Sequence, residues 1–366
     1  MRILIVTHAP ISPEFGVSQV AINLAEALRY NGHEVILWSP QPLPQNIKSW
    51  QIHHEMRKKL DAFIKIQAPF DIIDSPSTLI TKKVAKSTLV ICRNIQPDIL
   101  YVLSTLNEPF IICSINSIFY IFYRYLYQIY ILLLIFQGWR RAKHILCLGS
   151  LDLLWMRKWL FWWRYKLSFY VNALAPNDQI ELTKIRQLRK NISIVKIRFL
   201  WIGRWVNHKG IDTLLKFITE WESSRPQDTF SIAGCGTNAL KQIPINLIES
   251  GKVKILPSFT RNELYNLLDT HDIGLFTSKV EGWGLSINEM LESGMPVFAT
   301  QAGGVIDLQT FNLNLLQQFP PTLKVISEIS QSFDIPEEYY NEFSWNRIAE
   351  KYEKIAEICL AGNSLT

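Results

Sequence analysis

Apolar positions along the chain recur in two alternating rhythms. Ile3–Val6 is a short unbroken apolar run, as in a strand buried on both faces. A loop from His8 to Val17 follows, with Pro10, Pro13 and Gly16 in it. Behind Ser18, which reads as an N-cap, Val20, Leu24 and Leu28 repeat at helical spacing until Asn31-Gly32 stops the helix. Glu34–Ser39 reads as the next strand, so the chain opens as strand, loop, helix, strand, the start of a parallel sheet. Further strands are expected at Ile72–Ile73, Leu89–Cys92, Phe110–Cys113 and Ile145–Leu148. Residues 172–196 are polar, contain Pro176, and read as a linker. A second α/β series follows. Its strands are Phe199–Ile202, Phe230–Ala233, Val253–Leu256, Ile273–Phe276 and Val297–Ala299, and its helices run over Ile211–Trp221 and from Thr260, where Glu263 completes a capping box.

Length agrees with two domains, because 366 residues exceed the roughly 250–300 at which one core stops growing. The 48% of apolar and 19% of charged residues exclude disorder and coiled coil. Five cysteines without a CxxC pair argue against a disulfide framework or a Cys-rich zinc site and fit a reducing compartment. The N-terminal apolar run is too short for a signal-peptide core, so the protein is expected in the cytoplasm. Charge is uneven. Residues 1–200 carry 25 Lys and Arg against 12 Asp and Glu, a net +13, while residues 201–366 carry a net −7. A basic half of this kind suits nucleic acid, an anionic membrane or a phosphorylated substrate. Its cations lie among Trp, Phe and Tyr, which favours the membrane surface over nucleic acid.

Two segments carry that idea. Ile118–Phe136 is almost wholly aliphatic or aromatic, interrupted by Arg124 and Gln128; its length is borderline for a span, and it reads as a helix packed in the first domain. Trp155–Lys166 (WMRKWLFWWRYK) puts Trp155, Met156, Trp159, Leu160, Trp162 and Trp163 on one helical face, with Arg157, Lys158 and Arg164 elsewhere. The plain alternative is an amphipathic helix against the core. Five of the twelve tryptophans fall within residues 139–166, which favours the headgroup layer of an anionic bilayer.

The candidate chemistry lies in the second half. In EGWGLSINEMLESGMPV, Glu281–Val297, a loop with Glu281, Gly282 and Gly284 leads into a helix starting near Leu285. The amides of Leu285, Ser286 and Ile287 would open that helix as an anion site, with Glu289 one turn inside it. In GRWVNHKG, Gly203–Gly210, Arg204 leaves a strand end and Lys209 precedes the next helix, and two such cations balance a diphosphate without a metal. His208 reads as a surface or ribose-side residue. His53-His54 and His271 have no partners at metal spacing, so no metal or other cofactor is expected.

Together these residues resemble glycosyltransferase family 4, the retaining nucleotide-sugar transferases of the GT-B fold. Gly203-Arg204, Lys209-Gly210, Glu281-x7-Glu289 and Gly294-x-Pro296-Val297 agree with it in type, spacing and order. The resemblance implies two Rossmann-like α/β domains facing a central cleft: residues 1–171 on the acceptor side and 197–343 holding the donor. A closing helix in residues 344–366, carrying FSWNRIAEKY with its flank, crosses back to the first. It implies that Arg204 and Lys209 bind the diphosphate of a UDP- or GDP-linked sugar, that Glu281 contacts the transferred hexose, and that Glu289 contacts the ribose. Gly16 and the amides of Gly284, Leu285 and Ser286 would hold phosphates. The acceptor implied is a saccharide or lipid-linked saccharide in polysaccharide or glycolipid synthesis, on the cytoplasmic face of a membrane. The family often has a histidine after the fourth strand, which Cys113–Ser117 lacks, so a non-catalytic subunit of the same fold that binds a partner transferase is the alternative. A nicotinamide enzyme would need a Gly-x-Gly-x-x-Gly after the first strand, and only Gly16 stands there.

Overall fold

The computed structural model describes residues 1–13, 16–106, 115–189, 192–329 and 334–362. The chain divides into two units, Met1–Asn172 with Glu342–Thr366, and Ala173–Asn341. Each is built on a six-stranded parallel sheet.

In the first unit the order is β1 (Arg2–Val6), α1 (Gly16–Tyr30), β2 (Glu34–Trp38), α2 (Ser49–Gln67), β3 (Ile72–Ser75), α3 (Lys82–Ser87), β4 (Leu89–Arg93), α4 (Asp98–Leu106), α5 (Ile115–Arg141), β5 (His144–Leu148), α6 (Gly149–Trp159) and β6 (Leu167–Tyr170). The sheet order is β2-β1-β3-β4-β5-β6. Ile3, Leu4, Ile5 and Val6 are fully buried, which is why this strand reads as an apolar run without alternation. Helix α1 begins at Gly16, two residues before the expected cap. Ser18 lies inside the helix, buried, and its hydroxyl donates to the Pro10 carbonyl at 2.6 Å, so it ties the loop after β1 to the helix. The expected strand at Phe110–Cys113 lies outside the described residues, as do Ser114 and the side chains of 115–117. The sequence reading missed β6, whose short LSFY run follows directly on the tryptophan-rich segment.

That segment is not one helix. α6 ends at Trp159, and Phe161–Lys166 forms a 3-10 turn. The break rotates the tryptophans apart: Trp155 and Trp163 pack on the core, while Trp159 and Trp162 remain exposed. Lys166 is buried and its ammonium donates to the Ala142 carbonyl at 3.2 Å. Helix α5 also departs from expectation. Within Ile121–Arg141, only 17% of the most apolar 18-residue window is buried, so the helix covers the unit with one side and leaves the other exposed. By length and composition alone that stretch is long and apolar enough to cross a membrane.

The second unit runs α7 (Pro176–Leu188), β7 (Arg198–Ile202), α8 (Ile211–Ser224), β8 (Thr229–Ala233), α9 (Ile245–Glu249), β9 (Val253–Leu256), α10 (Arg261–Thr270), β10 (Ile273–Phe276), α11 (Leu285–Glu292), β11 (Val297–Ala299), α12 (Val305–Gln309), β12 (Leu316–Gln318), α13 (Leu323–Glu328) and α14 (Glu337–Glu342). Its sheet order is β12-β11-β10-β7-β8-β9. Both sheets thus have first strands in their interior, the doubly wound pattern in which loops after adjacent strands meet at one edge. Phe199, Phe217, Trp221 and Phe230 make an aromatic core, with Phe199 and Phe230 stacked at 4.9 Å. Residues 172–196 are not a bare linker. Their helix α7 opens with Pro176 at its first turn and packs on α10 and α11.

Helix α15 (Trp345–Leu360) belongs to the first unit. Ser344 caps it, accepting from the Arg347 amide at 3.3 Å, and its apolar face packs on α1, β4 and β6. Glu353 accepts from Asn31 at 2.7 Å and pairs with His33 at 3.1 Å. The closing helix inferred from the resemblance is therefore present.

Candidate active site

Two loops of the second unit follow the neighbouring strands β7 and β10, and backbone and side-chain bonds join them. The His208 carbonyl accepts from the amides of Lys279 at 2.8 Å and Val280 at 3.2 Å. The Lys209 carbonyl accepts from the Thr277 hydroxyl at 2.9 Å, and that oxygen accepts from the Trp201 indole at 3.0 Å. Gly210 sits at φ 68°, and a Cβ there would come within 1.9 Å of the Thr277 carbonyl. The two loops can approach this closely only with glycine at that position.

This junction brings two expected site residues into contact. The Lys209 ammonium forms an ion pair with Glu281, which also accepts from the Ser278 hydroxyl at 3.1 Å. Arg204, in the same loop as Lys209, is exposed. His208 is buried instead of lying at the surface, and its pKa is pushed down to about 4 by burial and then by the Lys209 charge, with Arg204 a smaller influence and Glu281 opposing. The imidazole is therefore neutral at pH 7, and the cations of the site are Lys209 and Arg204.

Glu281 leads into α11 through Gly284, which is left-handed at φ 90°. Between them Trp283 is buried; its indole donates to Asn288 at 2.7 Å, Asn288 donates to the Tyr339 hydroxyl at 2.8 Å, and the Trp283 carbonyl accepts from Gly304 at 2.9 Å. These bonds hold the turn in place. The Ile287 amide donates to the Gly284 carbonyl at 2.8 Å, so it does not point outward with the others. Leu285 and Ser286 remain as the amides that open the helix, where the orphan donors and the dipole favour an anion.

Glu289 is buried, and it does not turn toward Glu281. Its carboxylate accepts from Arg261 at 2.6 Å. Arg261 is also bonded through two nitrogens to Asp178, which accepts from the Tyr265 hydroxyl at 2.6 Å. Burial alone would lower the Arg261 pKa, but Glu289 and Asp178 outweigh it and hold the guanidinium firmly protonated. This chain joins α7, α10 and α11. Asp178, Arg261 and Trp283 were absent from the sequence reading. Arg261 had one available signal: it follows Thr260, the cap of the helix after β9, at the same edge where the loops after β7 and β10 lie. Gly16 belongs to the first unit, at the head of α1.

The two doubly wound units, with paired loops after adjacent strands and a helix start between carboxylates, define the architecture of the GT-B glycosyltransferases. Residues 185–312 match the family of glycosyl transferases group 1. A human phosphatidylinositol N-acetylglucosaminyltransferase component is 27% identical over 204 residues, 52% of this chain and 40% of that protein. The chain spans less than half the length of that relative. Among solved structures, WaaG, a glycosyltransferase involved in lipopolysaccharide biosynthesis, aligns over 98% of this chain and 99% of its own with TM-score 0.59 and 14% identity. Anabaena Alr3699/HepE, solved in complex with UDP and glucose, aligns over 98% and 99% with TM-score 0.58 and 15% identity. At these identities the structures share the fold.

Proposed function

We propose that this protein is a retaining glycosyltransferase that moves a hexosyl group from a UDP- or GDP-linked donor to a saccharide or lipid-linked saccharide. The observation that carries the reading is the Lys209–Glu281 pair beside the amides that open α11, inside the stretch that matches group 1 glycosyltransferases. Lys209 and Arg204 supply positive charge to the diphosphate and stabilise its departure, with Leu285, Ser286 and Gly284 as amide donors. Glu281, already held by Lys209 and Ser278, is oriented to take hydroxyls of the transferred sugar. Glu289 takes the ribose with one oxygen engaged by Arg261. Two protein cations serve the diphosphate, so transfer proceeds without a metal. The fold shared with a protein crystallised with UDP and glucose supports the nucleotide donor. The basic charge of the first unit and its exposed Trp159 and Trp162 support peripheral attachment to the cytoplasmic face of an anionic membrane.

The test is a panel of radiolabelled nucleotide sugars transferred into membrane extract, with and without chelator, beside calorimetric titration with UDP and GDP. Transfer that survives EDTA is expected. Loss of transfer on chelation with rescue by magnesium or manganese overturns the metal-free reading. Absence of any nucleotide binding overturns the transferase reading and favours a non-catalytic subunit.

A further inference from the structure

The first unit has a pocket of its own at the carboxyl ends of its strands. In the order β2-β1-β3-β4-β5-β6, β1 is followed by β2 on one side and by β3 on the other, so β1 and β3 flank the switch point of the sheet. Loops leaving such strands part there and open a crevice. His8 stands after β1, Ser77 and Thr78 after β3, Gln96 after β4 and Asp98 at the start of α4, all on one pocket of about 840 Å³ including its mouth. Tyr127, Gln128, Ile131 and Ile135 of α5 form another wall, beside Tyr101 of α4 and His53 of α2. The α5 wall is pinned near the same loops. Gly138 lies against the Ser77 carbonyl, where a Cβ would clash, and the Trp139 indole donates to Asn94 at 3.2 Å. Arg141 donates to the Ile80 carbonyl at 2.9 Å. The pocket is therefore preformed, as small-molecule sites usually are.

The lining is suited to hydroxyl groups and not to an anion. Arg93, the arginine on it, is neutralised by buried Asp74 at 2.8 Å. Burial, and then the Arg93 charge, lower the pKa of His8; burial, then Arg57 and His8, push His53 down to about 4. Both imidazoles are neutral at pH 7. Asp98 accepts from the Ser77 hydroxyl at 2.6 Å, and burial raises its pKa only to about 6, so it is mostly ionised there. The charge left unbalanced on the lining is negative. Nδ1 of His53 is buried with no hydrogen bond. In a neutral imidazole that nitrogen is a donor or an acceptor according to the tautomer, and a hydroxyl satisfies either. Gln96 and Gln128 likewise offer a donor and an acceptor each. Tyr101 and Tyr127, with Ile95, Val102 and Ile131, add aromatic and aliphatic surface between these polar groups. A sugar ring matches both features, with hydroxyls around its edge and C–H groups on its faces.

We infer that this pocket seats an uncharged sugar ring of the acceptor, with Asp98 as the residue that selects it against anionic sugars. His53 and Gln128 meet its hydroxyls, and the tyrosines of α4 and α5 meet its C–H face. The inference rests on the saccharide acceptor proposed above and narrows it from any saccharide to a neutral one, held within the first unit.

The test is a ligand-observed NMR titration of the whole protein with the methyl glycosides of glucose, galactose, mannose and N-acetylglucosamine, beside methyl glucuronide and glucose 6-phosphate. The best-bound neutral glycoside should bind about tenfold more tightly than either anion, the scale of one partly screened charge repulsion. Gln128→Ala should weaken it about fivefold, as for one neutral hydrogen bond. Ile131→Trp, which fills the pocket without removing a polar group, should weaken it about tenfold or more. Gln128 is half-buried, so its arm stands if Ile131→Trp fails to fold. Asp98→Asn should bring the anions to within about threefold of the neutral glycoside, a change that a merely structural role would not produce. No binding of any neutral glycoside, or binding that survives both Gln128→Ala and Ile131→Trp, overturns the site. Anions bound as tightly as the neutral sugar, or a gap that Asp98→Asn leaves unchanged, overturn the selection. UDP and GDP titrations on the same samples keep the two readings apart. Nucleotide binding without glycoside binding overturns the pocket alone, and wild-type protein that binds no nucleotide overturns the transferase reading.

Discussion

Replacing Lys209 by alanine removes the cation at the point where the proposed site gathers most of its charge. The change acts twice. A charge-assisted contact to a phosphate is worth about 1.5–3 kcal/mol, or roughly ten- to a hundredfold in affinity. Lys209 also neutralises Glu281, whose side chain is only 16% exposed and keeps Ser278 as a donor once the ammonium is gone. A diphosphate arriving some 5–6 Å from that bare carboxylate meets a repulsion of about 3 kcal/mol at an effective dielectric near 20, before screening by salt. Lys209→Ala is therefore expected at or beyond the hundredfold end for UDP or GDP, and Lys209→Ala with Glu281→Gln should bind about tenfold more tightly than the single variant. Isothermal titration at low salt and again at physiological salt measures both, and salt should narrow the gap between them. A single variant that binds within twofold of wild type refutes the placement of the diphosphate. A double variant no better than the single refutes the coupling.

Glu281→Gln alone should lower turnover more than it lowers nucleotide affinity, because that carboxylate is assigned to the sugar; equal losses in kcat and UDP affinity would move it away. Arg261→Met strands Asp178 and Glu289, which are 11% and 8% exposed, so it should destabilise the protein by about 3 kcal/mol, the low end for a broken buried pair because Arg261 itself is 33% exposed. Urea unfolding reads it, and a loss under about 1 kcal/mol contradicts the account. Asp152 is buried with one oxygen unpartnered, and burial pushes its pKa up to about 7, above its unfolded value near 3.9. The folded state therefore binds the extra proton between those values, and stability from this group is present at low pH and lost as pH rises toward 7. Asp152→Asn should accordingly gain up to about 2–3 kcal/mol relative to wild type on going from pH 5 to pH 8, whereas a pH-independent difference shows that the carboxyl is already ionised at pH 5.

Much of the fold was legible in the sequence because strand, helix and cap signals are local. Ile3–Val6 announces a doubly covered strand by its own composition, and Thr260 with Glu263 announces a helix start that the structure contains, the Thr260 amide donating to Glu263 at 2.6 Å. The loops with Arg204, Lys209 and Glu281 were legible for a related reason: glycines and charges at the C-terminal ends of parallel strands can face only a few places. Ser18 went wrong because a buried serine bonding back to Pro10 uses the same hydroxyl chemistry as a cap. The tryptophan segment went wrong because one break after Trp159 turns a continuous face into two.

What only the tertiary structure decided are the relations between distant residues and the choice among equivalent faces. Arg261 and Asp178 lie 83 positions apart and Arg261 and Glu289 lie 28 apart, so nothing in their spacing links them; packing of α7, α10 and α11 does. That packing also turned Glu289 toward Arg261, a choice that helical periodicity leaves open because it ranks faces and not neighbours. Helix α5 is the clearest case. It is apolar over most of its surface, so pattern alone selects no inward side, and the close approach of Gly138 to Ser77 together with the burial of Trp139 fixes which face is packed and which is left exposed.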